Sequence, residues 1–201
     1  MKLLKILQYG HPLLREKARD VKSVGSREKD LIATMIETMY DARGIGLAAT
    51  QVGVMERLFV VDVDQREQDE DASPEEAHRF RNPLVFINPE IVWESDEDET
   101  FEEGCLSIPT VKGEIYRPSA VRIVARDQNF EEFAVNADEL LARVIQHEYD
   151  HLNGVLFTDH LPRTSRVLLS GRLGKLQRET LAALPEMPES YPVEYELKEE
   201  Q

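Results

Sequence analysis

The chain has 201 residues, 41% hydrophobic and 31% charged, enough for one domain with a real core and ordinary for a soluble globular protein. No run of about 18 apolar residues is present, which excludes a membrane-spanning helix, and Met1–Ile6 has neither the apolar core and cleavage site of a signal peptide nor the look of a transit peptide. The net charge of −15 is concentrated: −5 over 64–79, −7 over 94–103 and −5 over 186–201, which assigns the acidity to loops and a tail and argues against a general DNA- or RNA-binding surface.

In chain order, Ser26 is expected to cap a first helix running to about Ala42. Leu31, Met35 and Met39 form one stripe on it, and Ile32, Ile36 and Tyr40 an adjacent one, so one face is broadly apolar and suits a core. Three glycines within Gly44-Ile45-Gly46-Leu47-Ala48-Ala49-Thr50-Gln51-Val52-Gly53 imply tight turns and close backbone approach. Arg57–Val63 reads as a strand. Residues 64–81 are polar, acidic and aperiodic, a surface insertion. Strand-like runs return at Leu84–Ile87, Glu90–Trp93, Ala120–Arg126 and Phe130–Val135. A helix is expected over 137–152, closed by Asn153-Gly154, with Leu140, Leu141, Val144, Ile145 and Leu152 as its apolar partners. Pro162 can open a last helix to about Leu184, and the acidic, proline-containing segment 185–201 predicts a disordered tail. Strands and helices mix without a regular β-α-β alternation. The fold class is therefore α+β, with mainly antiparallel strands packed around the helix at 137–152, and one domain over 1–184.

That helix carries Gln146-His147-Glu148-Tyr149-Asp150-His151, an H-E-x-x-H pattern. Residues four apart share a helix face, so His147 and His151 can aim two imidazoles at one metal ion, with Glu148 close enough to reach an activated water. The pattern suits metal-assisted hydrolysis and leaves the third ligand open. Downstream candidates are Asp159 and His160, although the extended zincin pattern fails because position 157 is Phe. Upstream, the sole cysteine, Cys105, sits in Glu102-Glu103-Gly104-Cys105-Leu106-Ser107-Ile108-Pro109. A lone cysteine fits a reducing cytoplasm, where it serves as a thiolate ligand or, more commonly, as a small buried hydrophobe.

Three segments taken together resemble the peptide deformylase family: Gly44-Ile45-Gly46-Leu47-Ala48-Ala49-Thr50-Gln51, Glu103-Gly104-Cys105-Leu106-Ser107 and Gln146–His151. They stand in the family's order and at its spacing, and Tyr9-Gly10-His11-Pro12-Leu13-Leu14-Arg15 is similar to its usual start. The resemblance covers about residues 3–180. It implies that Cys105, His147 and His151 bind one divalent metal ion, natively iron(II), with zinc, nickel or cobalt as substitutes. It implies Glu148 as general base and proton shuttle, and Gln51 with the Leu106 backbone N–H as oxyanion donors. The implied substrate is the N-formyl group of the N-terminal methionine of a nascent peptide, released as formate in the cytoplasm.

By the same resemblance Ile45, Leu140 and Val144 line the methionine pocket, and the Gly44-Ile45-Gly46 backbone pairs with the substrate as an added strand. Lys112 stands where many members carry arginine. Arg143 is more polar than the usual neighbour one turn before His147, and its head is expected to reach solvent while its stem packs. The segment 163–178 carries Arg163, Arg166, Arg172, Lys175 and Arg178 and no acidic residue. It is either a solvated helix face or, as in members with basic C-terminal helices, a dock for ribosomal RNA near the peptide exit. Rival classes are a zincin-like endopeptidase, which needs a third ligand other than Cys105, and an inactive ribosome-associated module, which needs a degraded ligand set.

Overall fold

The computed structural model describes residues 2–64 and 82–184, together with the backbone of 194–196. Nine strands are described: β1 Lys2–Leu4, β2 Gly46–Ala48, β3 Leu58–Val61, β4 Leu84–Glu94, β5 Asp98–Cys105, β6 Ile108–Pro118, β7 Ala120–Arg126, β8 Glu132–Asp138 and β9 Glu194–Glu196. The α-helices among the described residues are α1 Ser26–Asp41, α2 Glu139–Leu152, the one-turn α3 Phe157–His160, and α4 Arg163–Ala183. A five-stranded sheet runs in the order β2-β3-β4-β7-β8, every pair antiparallel, and β5-β6 and β1-β9 form separate two-stranded sheets. The α+β class and the antiparallel pairing are as the sequence implies.

The central sheet is covered on both faces at its β2–β3 end. Leu47, Leu58 and Val60 pack with Leu31, Ile32, Met35 and Met39 of α1. Their alternates Ala48, Phe59 and Val61 pack with Val144, Ile145 and Leu152 of α2, and Phe59 stacks on Phe86 at 4.8 Å. Burial on both faces explains the unbroken apolar run Leu58-Phe59-Val60-Val61. Side chains alternate between faces at a period of two, so each cluster takes every second residue. A third cluster joins Ile108, Val111 and Ile115 of β6 to Phe157, Leu161 and Leu173, which holds the β5-β6 sheet against α3 and α4.

The boundaries of α1, β7 and α4 lie within a residue or two of their sequence expectations, and α2 begins two residues later. Strands β1, β2 and β6 were not expected from the sequence, and four further features differ. The cap of α1 is Gly25, not Ser26, because Glu28 reaches back and accepts from the Gly25 N–H at 2.7 Å, stopping the exposed first turn. The two runs 84–87 and 90–93 are one strand, bent at register shifts near Asn88. The last sheet strand starts at Glu132, since Asp127 accepts from the Asn129 and Glu131 N–H groups and turns the chain there. The acidic stretch 94–103, read as loop, supplies most of β5. Asp and Glu are poor strand formers, but pairing with β6 and contacts such as Lys112–Glu102 at 2.9 Å hold this one.

Apart from Asp64 and β9, the expected insertion 64–81 and tail 185–201 lie outside the described residues. Within that tail, β9 pairs antiparallel with β1, Leu3 opposite Tyr195, so this piece uses a free strand edge where disorder was expected.

Gly154 ends the run after α2 in a left-handed conformation, φ +72°, and a Cβ there would sit 2.5 Å from the Arg15 carbonyl oxygen. Gly154→Ala is expected to cost about 2 kcal/mol or more, from the left-handed penalty plus the contact. Urea unfolding checks this, and a loss below about 0.5 kcal/mol would contradict it.

Candidate metal centre and active-site cleft

α2 delivers the histidines. Its apolar side seats on the central sheet, and its other side faces the β5-β6 sheet, so even Arg143, Gln146, His147, Glu148 and His151 are buried. The rings of His147 and His151 lie 5.0 Å apart between centroids, as the spacing of four dictates. Cys105 comes from the end of β5, where the pairing with β6 slips between Gly104 and Cys105. That slip swings the thiol toward α2, with Sγ 3.3 Å from His151 Nε2.

Cys105, His147 and His151 present three donor atoms all within 4.8 Å of one another. A four-coordinate ion with bonds of about 2.0–2.3 Å sets neighbouring donors about 3.3–3.8 Å apart, so one thiol and two imidazoles here fit a single divalent ion with a fourth position left over. His160 and Asp159 are not part of this group. His160 Nε2 lies 2.8 Å from Asp150 Oδ2, and Asp159 binds the Arg15 guanidinium. The third member of the group is the upstream cysteine.

Around the triad opens a cleft of about 800 Å³, lined by Gly44, Ile45 and Gly46 on one lip, Glu102–Leu106 and Lys112 on the other, and Leu140, Arg143, Val144, His147 and Glu148 along the floor. Every pocket residue expected from the sequence lines this one space. β2 is the terminal strand of its sheet among the described residues, so Gly46 lies on a sheet edge and Gly44 and Ile45 lead directly into it. Gln51 also lines the cleft. Its Oε1 accepts from the Ala48 N–H at 2.7 Å, which fixes the amide so that Nε2 donates toward Ser107 Oγ at 3.2 Å and Cys105 Sγ at 3.5 Å.

Burial pushes the Glu148 carboxyl up to about 7, against the pull of His147. Burial likewise holds His151 well below its ordinary value, reinforced by the charge of His147, which suits a neutral ligand. For His147 burial is outweighed by its bonds to Cys105 and Glu103, and its pKa rises.

Sequence reasoning missed the group behind His147. Glu103, 5% exposed, lies with Oε2 3.0 Å from His147 Nδ1, and accepts from Arg117 Nε at 2.8 Å and Arg143 Nη1 at 3.0 Å. Arg117 also donates to Asp150 at 2.6 Å. Although burial opposes its charge, the bonds from His147 and Arg117 hold Glu103 well below the usual carboxylate range. Arg143 does not send its head to solvent. It is buried and donates to Glu103, the Ile115 carbonyl and the Glu99 carbonyl. Burial opposes its charge, and the Glu103 carboxylate with two carbonyls offsets that cost. The available signal was Glu103 itself, an acidic residue two places before a candidate ligand.

An α+β fold with a Cys-His-His group in an open cleft, and a buried carboxylate on the floor, defines a class of mononuclear metal centre. Comparison with known proteins narrows it. The family model described as polypeptide deformylase matches residues 3–167. The chain is 50% identical over 167 residues to the peptide deformylase of Salinibacter ruber, covering 83% of this chain and 85% of that one. It is 47% identical over 159 residues to that of Clostridium botulinum, covering 79% and 97%. Among solved structures, a Plasmodium falciparum peptide deformylase superposes with a TM-score of 0.79 at 33% identity, covering 89% of this chain and 98% of the other. That of Synechococcus elongatus, in complex with actinonin, gives 0.74 at 40% identity, covering 86% and 85%. The chain belongs to the peptide deformylase family, whose members are metal-dependent hydrolases acting on formylated nascent peptides.

A Cβ at Gly46 would lie 2.5 Å from Glu148 Oε1 and 2.9 Å from its Cδ. Gly46→Ala is therefore expected to push the carboxylate aside and cut deformylase turnover about 10- to 100-fold, with metal content unchanged. Turnover and metal analysis on one preparation check this; wild-type turnover would contradict it.

Proposed function

We propose that Cys105, His147 and His151 hold one divalent ion, natively iron(II), and that this centre removes the formyl group from the N-terminal methionine of nascent polypeptides in the cytoplasm. The observation that carries the reading is the convergence of the thiol and two imidazoles within 4.8 Å, in the cleft that Gln51 and Glu148 also line. Zinc, nickel and cobalt(II) suit the same soft-and-borderline donor set. The catalytic unit is a single domain over 1–184.

When bound, the ion supplies Lewis acidity toward the formyl carbonyl and makes water acidic enough to attack at neutral pH. Glu148, held near neutrality by burial, takes a proton from the attacking water as its oxygen bonds to the formyl carbon. It returns that proton to the departing amine as the C–N bond breaks, giving formate and a free amino terminus. The Gln51 side-chain N–H and the Leu106 backbone N–H donate to the oxyanion that develops on the formyl oxygen. Gln51 is set for this by its bond to the Ala48 N–H. The slip after Gly104 leaves Leu106 in the turn between β5 and β6. Gly44, Ile45 and Gly46 bind the substrate backbone along the β2 edge. Ile45, Leu140 and Val144 take the methionine side chain, and backbone pairing tolerates varied residues after it.

Iron- or nickel-loaded protein is expected to release formate from formyl-Met-Ala-Ser under anaerobic conditions, and no release would sink the reading. Glu148→Ala should retain the ion and lose at least about 100-fold in turnover, the usual scale for a general base. Loss of the ion on that change would reject its role as base.

The basic residues of α4, Arg163, Arg166, Arg172, Lys175 and Arg178, share that helix with the exposed Val167 and Leu168. We assign this helix, basic around its circumference, to ribosomal RNA near the peptide exit. Sedimentation with ribosomes should then weaken steeply from about 50 to 200 mM salt, and salt-independent or absent co-sedimentation would reject the assignment.

A further inference from the structure

The lips of the cleft carry the charged side chains Arg43, Glu102 and Lys112, and Glu103 and Arg143 lie deeper. All but one of these are answered. Lys112 Nζ lies 2.9 Å from Glu102 Oε1, and Arg143 Nη1 lies 3.0 Å from Glu103 Oε1. Arg43 is exposed, and among the described residues its guanidinium has neither an ion pair nor a hydrogen-bond partner. Its backbone, in contrast, is fixed. The Arg43 N–H donates to the Tyr40 carbonyl at 2.9 Å and the Gly44 N–H to the Met39 carbonyl at 2.8 Å, which closes α1. Arg43 takes the left-handed conformation there, φ +54°. Glycine would close the helix at less cost, so the long cation is carried against backbone preference. The lip also has a direction. Gly46 is its reaction end, where a Cβ would lie 2.5 Å from Glu148 Oε1, and Gly44 faces Leu106. Arg43 stands three residues back from Gly46. A peptide paired along this edge advances about 3.3 Å per residue, so with its formyl group beside Glu148 its third residue comes alongside Arg43.

We propose that Arg43 is a specificity residue, which favours an acidic side chain at the third residue of the formylated peptide over a basic one. The inference rests on the proposed pairing of substrate with the Gly44–Gly46 lip. It sets a local charge against the field of the whole chain. A net charge of −15 steers basic peptides toward the protein and repels acidic ones. At physiological ionic strength that field is screened beyond about 8 Å, so the unpaired cation beside the bound peptide decides the preference. The two influences predict opposite signs, which makes the sign itself the measurement.

The test compares formyl-Met-Ala-Glu-amide with formyl-Met-Ala-Lys-amide, the terminal carboxylate being removed so that only the third side chain differs. At low salt the glutamate peptide is expected to have a kcat/KM about 5- to 20-fold higher, the scale of attraction for one and repulsion for the other at an exposed charge. The difference should lie in KM, because a contact remote from the reacting bond is made equally in ground and transition states. Raising the salt to about 500 mM should shrink it to about twofold or less. Arg43→Lys should keep the preference, Arg43→Gln should abolish it, and Arg43→Glu should reverse it in favour of lysine. A wild-type ratio at or below unity overturns the proposal, and so does an Arg43→Gln variant that keeps the wild-type ratio. The deformylated products Met-Ala-Glu-amide and Met-Ala-Lys-amide, titrated into ¹⁵N-labelled protein, give a readout independent of turnover. Their affinities should differ in the same direction and lose that difference in Arg43→Gln; equal or unmeasurable affinities in wild type overturn the proposal. Absence of formate from both substrates refutes the proposed reaction instead, and the product titration still decides on Arg43.

Discussion

The Glu103 carboxylate is where the scaffold and the centre meet. A charge taken out of water at 5% exposure is tolerable only with several partners in good geometry, and Glu103 has two guanidiniums and an imidazole. Arg117 and Arg143 answer Glu103 and Asp150, two positive groups for two negative, with His147 also facing Glu103. The bonds cross from β5 and β6 to α2. The same contacts that satisfy these charges therefore set Cys105 against His147 and His151. Coupling the two elements through directional bonds, where apolar packing alone would let them slide, is how a three-donor group assembled from distant parts of the chain keeps its spacing.

The elements legible in the sequence are those decided by local pattern. α1 and α2 showed their apolar stripes, β7 its alternation, and the turn after α2 its glycine. The convergence of Cys105, His147 and His151 was legible for a related reason: a spacing of four on a helix sets two imidazoles together, and the motif around Cys105 pointed to the third side chain. What failed depends on partners far away in sequence. β5 is acidic enough to read as loop, and only β6, with Lys112 and Arg117 opposite its carboxylates, makes it a strand. Arg143 looked like a side chain bound for solvent because the carboxylate that buries it lies 40 positions earlier. Periodicity has no access to such pairings; only the folded arrangement supplies them.

α2 is buried on nearly every side and yet carries Arg143, Gln146, His147, Glu148 and His151 among its buried residues. Most of their polar atoms are matched: Gln146 donates to the Pro118 and Ala142 carbonyls, and Arg143 to Glu103 and two carbonyls. Among the described residues, four buried side-chain atoms lack a partner, and two of them, Glu148 Oε2 and His151 Nδ1, belong to this helix and this centre. An unmatched buried polar atom costs about 1–3 kcal/mol, so a helix that leaves only Glu148 Oε2 and His151 Nδ1 open among its described buried side-chain atoms confines that cost to the centre. On the proposed reading it is the right place. A carboxylate fully hydrogen-bonded by the protein, as Glu103 is, is held as an anion and cannot readily take a proton. One buried with an oxygen to spare has its pKa lifted toward neutrality and can accept a proton and return it. Two glutamates beside His147 thus differ by their surroundings alone: Glu103 is held as an anion, and Glu148 is left able, on that reading, to move a proton.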